Sequence, residues 1–166
     1  YCTMNKAFFT GHRTIGYLHK EINQLIDYAL QLGIKEFYCG MAIGADQVAA
    51  ELLIKHKLKW TAVIPCADQD EKWSKKQRSH YRKLLNEAPK QIILYPEYSP
   101  GCMQARNLWM IKHSDLCLAI FDNRTSGGTA MTVSAAIDHN LPIIQLNSHT
   151  KEFSKIDPKY QQLTLF

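Results

Sequence analysis

Long apolar runs are missing from this sequence: no stretch approaches the roughly 20 consecutive residues that a bilayer-spanning helix needs, so no membrane role is expected. Paired cysteines are missing too. The five present (Cys2, Cys39, Cys66, Cys102 and Cys117) are odd in number and form no CxxC, and seven histidines show no HExxH or other close ligand spacing. Neither a disulfide framework nor a dedicated metal site is expected. GxGxxG and GxxxxGK[ST] do not occur, which removes the dinucleotide dehydrogenase and P-loop NTPase readings. Tyr1-Cys2-Thr3-Met4 lacks the charged, apolar and small-residue order of a signal peptide, so a cytoplasmic location is expected.

What is present fits one domain. With 46% hydrophobic and 21% charged residues, 166 residues can bury most of the surface that the unfolded chain exposes. The net charge of +5 comes largely from Lys72, Lys75, Lys76, Arg78, Arg82 and Lys83, which crowd into one expected helix. That patch favours anionic partners, and a solvated helix face explains it equally well. The domain is placed at 1–150. A polar tail, 151–166, ends in Leu163-Thr164-Leu165-Phe166, either docked on the domain or a partner contact.

Six short runs read as strands: 6–10, 35–40, 60–65, 91–95, 116–121 and 142–146. Several are apolar throughout rather than alternating, which suggests a sheet covered on both faces. Helical patterns lie between them. Ile15, Leu18, Ile22, Leu25, Ile26 and Ala29 mark one face of the first, which Gly33 ends; Val48, Ala49, Leu52 and Leu53 mark the second. The third carries Trp73, Gln77, Tyr81, Leu84 and Leu85, the fourth runs from about Met103 to His113, and the fifth starts near Gly128. Strict alternation makes right-handed crossovers economical, and the expected fold is α/β, one doubly wound, mostly parallel sheet of about six strands with helices on both faces.

In such a sheet ligands bind beyond the carboxyl ends of the strands. Three glycine-bearing segments fall there: Gly11-His12-Arg13, then Gly40-Met41-Ala42-Ile43-Gly44-Ala45-Asp46, then Asp122 with Ser126-Gly127-Gly128-Thr129. Each opens a helix, so backbone N–H groups can meet a phosphate that glycine lets approach closely. Any one of them can be a plain strand-to-helix turn. Three on one edge favour a phosphate-bearing ligand, with His12 and Arg13 holding an anion or a base. Asp46 is either a helix N-cap or an acceptor for ribose hydroxyls.

Taken together, TGHR, GMAIGADQVAAE, IPCADQDEKWS, GCMQARNLWMIKHSD and SGGTAMTVSAA resemble the YpsA-like branch of the SLOG superfamily over roughly positions 6–146. The resemblance implies a Rossmann-like domain that binds a nucleotide or nucleotide-derived ligand. It also implies a pocket formed by Gly11, His12, Arg13, Gly40, Gly44, Asp46, Arg106, Asn107, Gly127, Gly128 and Thr129; Ala42 and Asp122, from the same glycine-bearing segments, join them as candidate ligand-binding residues. LOG phosphoribohydrolases are similar at Arg106, Met110 and Ser114-Asp115, and only in part at Ser126-Gly127-Gly128-Thr129. Where their pattern has a glutamate three residues after the threonine, this chain has Thr132. N-glycosidic cleavage builds positive charge on the ribose that a carboxylate stabilises, and a hydroxyl cannot replace it. Asp46 and Glu51 are the candidate substitutes, although Glu51 lies about one and a half turns into its helix.

Arg106 suits bidentate phosphate binding and Asn107 suits a base edge. Trp73 and Tyr81 are expected to pack in the core, His80 and Lys76 to be solvated, and Cys66 to be a passive thiol. Three functions follow in order. The first is a binder that senses or sequesters a nucleotide-type ligand. The second is a hydrolase or ribosyl transferase acting at an N-glycosidic bond. The third is single-stranded nucleic acid binding of the DprA type through the basic helix. No resident cofactor is expected beyond Mg²⁺ arriving with a phosphate, and the LOG resemblance implies a homodimer.

Overall fold

The computed structural model describes residues 4–159. In chain order the elements are β1 (Lys6–Gly11), α1 (His19–Gln31), β2 (Glu36–Cys39), α2 (Ala45–Lys55), β3 (Lys59–Cys66), α3 (Lys75–Asn86), β4 (Lys90–Tyr95), α4 (Cys102–Lys112), β5 (Leu116–Ile120), α5 (Gly128–Asp138), β6 (Ile143–Leu146) and β7 (Phe153–Ile156). They form one sheet in the order β4-β3-β2-β1-β5-β6-β7. The first six strands pair in parallel, and β7 runs antiparallel to β6.

Apolar runs make this sheet because both of its faces are covered. Phe8 and Phe9, adjacent on β1, point to opposite sides as strand geometry requires. Phe9 joins Ile22, Ala49, Leu53, Trp60 and Leu84 under α1, α2 and α3, whereas Phe8 joins Tyr38, Val63, Met110, Val133 and Ala136 under α4 and α5. Each fully buried large side chain contributes roughly 1.5–3 kcal/mol.

The chain adds β2, β3 and β4 outward on one side of β1 and then returns to place β5 on the other side. Strand order therefore reverses between β1 and β5. The crevice beyond their carboxyl ends is the expected ligand position for this architecture.

Three elements depart from the sequence expectation. Ile15 precedes α1 because Gly16 takes a positive φ of 65° and the helix starts only at His19. Trp73 lies before α3, which begins after Ser74. Ser74 Oγ accepts from Gln77 N at 3.2 Å and its own N–H donates to Gln77 Oε1 at 3.0 Å, a capping box that sets the helix start. The sheet has a seventh strand, β7, inside the segment read as a tail: the chain turns at Asn147, whose N–H donates to Glu152 O at 2.8 Å, and runs back along β6. The Leu163–Phe166 segment lies outside the described residues.

Candidate functional site

A cleft of about 480 Å³ opens at the reversal point. It is lined by Phe9, Thr10, Gly11, His12, Arg13 and Thr14 from the end of β1, by Ala42 and Asp46 at the start of α2, and by Gln69 and Trp73 after β3. Met103, Arg106 and Asn107 of α4, then Arg124, Gly127, Gly128 and Thr129 at the start of α5, complete it. Ten of the residues read from the sequence line it: Gly11, His12, Arg13, Ala42, Asp46, Arg106, Asn107, Gly127, Gly128 and Thr129. Gly40, Gly44, Asp122 and Glu51 do not.

The glycine corners divide into two kinds. Gly11, Gly40 and Gly44 serve close packing. A Cβ on Gly11 would collide with Ala45 Cβ, one on Gly40 with the Arg106 guanidinium, and one on Gly44 with the His12 and Arg13 carbonyls. Gly44 also holds a φ of 97°. Gly127 and Gly128 face open space, with nothing within 4 Å of where a Cβ would stand. No side chain caps the α5 N-terminus that they open, so its first N–H groups and the positive end of the helix are left for an anion.

Asp46 and Arg106 both line the cleft and lie close enough for each charge to act on the other. Asp46 is 7% exposed; its Oδ2 accepts from Ala42 N at 3.2 Å, while its Oδ1 is buried without a partner. Burial pushes the Asp46 carboxyl up to about 6, although the Arg106 guanidinium and the Ala42 N–H pull it down. Arg106 is 5% exposed, donating from Nη1 to Gly40 O at 2.6 Å and to Val63 O at 3.4 Å, and from Nε to Asn107 Oδ1 at 2.8 Å. Burial lowers its pKa against the opposing pull of the Asp46 charge. Asn107 Nδ2 donates in turn to Thr132 Oγ1 at 3.0 Å, and Thr132 donates to Gly128 O at 2.9 Å.

Asp122 stands behind the cleft and orients two of its walls. Its Oδ1 lies 3.1 Å from His12 Nε2 and 2.9 Å from Arg124 Nε, and its Oδ2 accepts from Arg124 Nη2 at 2.6 Å. The Arg124 guanidinium holds the Asp122 carboxyl far below the ordinary carboxylate range. His12 Nε2 also lies 3.3 Å from the Asp122 backbone N, so this one ring nitrogen faces both a carboxylate acceptor and a backbone donor, and its role follows the tautomer.

Glu51 sits elsewhere. Its two oxygens lie 3.0 Å from His19 Nε2 and 2.8 Å from His80 Nε2, so it ties α1 and α3 to α2. His80, expected to be only solvated, is half of that tie. Cys66 is buried and its thiol is pushed up to about 12 by burial, with Asp68 and Cys102 adding to the effect.

Sequence reasoning missed Phe9, Thr10, Thr14, Gln69, Trp73, Met103 and Arg124. Trp73 was assigned to core packing; its ring meets Tyr81 edge-on at 5.1 Å, and it also lines the cleft. Gln69 donates from Nε2 to Tyr81 Oη at 3.3 Å and to Gly40 O at 3.4 Å. The Ser74-x-x-Gln77 capping signal would have put Trp73 outside the helix. Among the described residues no helix is long and apolar enough to cross a membrane, and no group of three His, Cys, Asp or Glu side chains is placed to hold a metal ion.

Residues 4–150 match the sequence model of the YspA SLOG family. The SPbeta prophage-derived protein YoqJ of Bacillus subtilis is 33% identical over 108 residues, covering 55% of this chain and 63% of that protein. The UPF0398 protein of Halalkalibacterium halodurans is 25% identical over 136 residues, covering 78% and 72% respectively. In structure, DNA processing protein A from Streptococcus pneumoniae superposes with a TM-score of 0.65 at 17% identity, over 98% of this chain and 56% of that one. That likeness is one of fold.

Proposed function

We propose, from the premise that the chain belongs to the YspA SLOG family, that it binds a nucleotide or nucleotide-derived small molecule in the cleft beyond β1 and β5. The observation that carries this reading is Asp46 Oδ1, a buried acceptor with no protein partner, in the same cleft as the uncapped start of α5. An unsatisfied buried polar atom costs roughly 1–3 kcal/mol, and a ligand that donates a hydrogen bond to it recovers that cost. The open Gly127-Gly128 corner, with Arg13 and Arg124 nearby on the rim, suits a phosphate; the Asp46 end suits a sugar hydroxyl; and Trp73 offers an aromatic surface.

A thermal-shift screen against nucleoside monophosphates, cyclic nucleotides and ADP-ribose derivatives tests it. A true ligand at 100 times its Kd stabilises the fold by about 2.7 kcal/mol, and Asp46→Ala weakens that effect. A panel in which no compound raises the melting temperature would end the proposal.

N-glycosidic cleavage rests on Asp46 alone, because Glu51 lies outside the cleft. A carboxyl titrating near 6 suits general acid–base work. Chromatography of the bound nucleotide for free base separates catalysis from binding: base release that Asp46→Asn abolishes makes the protein an enzyme.

Nucleic acid binding rests on α3, which carries Lys75, Lys76, Arg78, Arg82 and Lys83 and no acidic residue. Two of these cations are drawn to Asp70, Arg82 Nε at 3.0 Å and Arg78 Nε at 3.8 Å, which lessens the charge free for phosphates. Binding of a short single strand that falls steeply with salt would favour this reading.

A further inference from the structure

We infer that Thr132 is a positioning residue: acting through the Asn107 amide, its hydroxyl fixes the Arg106 guanidinium in the wall of the cleft that Asp46 also lines. Its bearing on ligand affinity rests on the reading proposed above; the positioning itself does not.

The inference follows from donor and acceptor counting. Thr132 is 3% exposed on α5, and its hydroxyl hydrogen is committed to Gly128 O, one turn back, at 2.9 Å. What Oγ1 then presents to Asn107 is a lone pair. Only the NH₂ side of the amide can meet it, which it does at 3.0 Å. Asn107 Oδ1 must therefore face the other way, where it accepts from Arg106 Nε at 2.8 Å. With Nε held by Asn107 and Nη1 held by Gly40 O, the guanidinium plane is set. A valine at 132 would keep the shape and lose the acceptor. The amide would then be free to flip, presenting NH₂ to a cation that has nothing to accept with.

The position of Arg106 is read out by Asp46. The titratable groups that face Asp46 are Arg106, whose charge draws its pKa down, and the buried Cys39, whose thiol is pushed far above its ordinary range and whose Sγ donates to the Asp46 carbonyl at 3.0 Å. Because Cys39 stays neutral, the Asp46 midpoint depends on how close the guanidinium is held. Thr132 does not touch Asp46, so a purely local packing role would leave that midpoint where it is.

The experiment follows the Asp46 carboxyl by ¹³C NMR during a pH titration of the wild-type chain, Thr132→Val, Thr132→Ser, Asn107→Ala and the Thr132→Val/Asn107→Ala double variant, with circular dichroism reporting the fold. Thr132→Val and Asn107→Ala should each raise the midpoint, Thr132→Ser should leave it unchanged, and Thr132→Val should add nothing once Asn107 is gone. In parallel, calorimetric titration with adenosine monophosphate should show about a tenfold loss for Thr132→Val, restored in Thr132→Ser. An unchanged midpoint in folded Thr132→Val, a Thr132→Ser variant that behaves like Thr132→Val, or additive shifts in the double variant would overturn the inference. If Thr132→Val fails to fold, the decision passes to Asn107→Ala and Thr132→Ser: a midpoint unmoved by Asn107→Ala, or moved by Thr132→Ser, overturns it. Midpoint shifts without any binding of the nucleotide would uphold the positioning role and count against the proposed function.

Discussion

Arg106 Nη1 donates to the carbonyl of Gly40 at 2.6 Å, a bond across 66 positions of sequence that ties α4 to the corner after β2. The guanidinium occupies the space where any other residue at 40 would place its Cβ. Gly40→Ala is expected to displace Arg106 and cost about 1–3 kcal/mol of stability. Urea unfolding measures this, and a variant as stable as the wild type would mean that the guanidinium can leave this space without loss of stability.

Gly11 and Gly128 line the same cleft, and alanine should affect them in opposite ways. At Gly11 the new methyl meets Ala45 Cβ, so a loss of about 1–3 kcal/mol is expected. At Gly128 it meets open space at the first position of α5 and should leave stability equal or higher by about 0.4–1 kcal/mol. Ligand affinity should nevertheless fall in Gly128→Ala, because the methyl stands where an anion approaches the helix. Paired unfolding and binding titrations check both halves.

The Asp46 carboxyl makes stability depend on pH with a definite sign. Its folded-state pKa, about 6, lies above its ordinary 3.8, so between those values the folded chain holds the proton more tightly than the unfolded one. Its contribution is fully present below about pH 4 and is lost as pH rises through about 6, a change of roughly 3 kcal/mol at most. Unfolding free energies from pH 4 to 7 should therefore fall more steeply for the wild-type chain than for Asp46→Asn. Parallel curves would contradict the burial assigned to this carboxylate.

Glu51→Gln should leave ligand affinity unchanged. Its carboxylate is a third exposed and joins His19 and His80, so the stability lost is expected to stay below about 1 kcal/mol. Calorimetry on the variant checks this, and a large fall in affinity would bring Glu51 back as a site residue.

Much of this was legible in the sequence because it is written locally. A run such as Lys6-Ala7-Phe8-Phe9 followed by Gly11, or Leu118-Ala119-Ile120 followed by Gly127-Gly128, states strand, corner and helix start within a few residues. Alternation then sends the corners to one rim. What each glycine does there was not legible. Gly40 and Gly128 look alike in the chain; one is filled by a side chain 66 positions away and the other is open, a distinction that only tertiary packing creates. Trp73 was placed in the helix because its spacing from Tyr81 mimics a helical stripe, whereas Ser74 caps the helix and α3 starts at Lys75, two residues later. β7 escaped notice because Phe153-Ser154-Lys155-Ile156 is short and half polar, as an edge strand with exposed positions is.

The most direct measurement is a two-dimensional ¹H–¹⁵N NMR titration of the wild-type chain with the nucleotide panel, following every assigned amide. The predicted result is saturable shifts confined to the cleft: Gly11 to Thr14, Ala42 to Asp46, Arg106, Asn107 and Gly127 to Thr129. Shifts confined to α3, or no saturable shift with any member of the panel, would contradict the account.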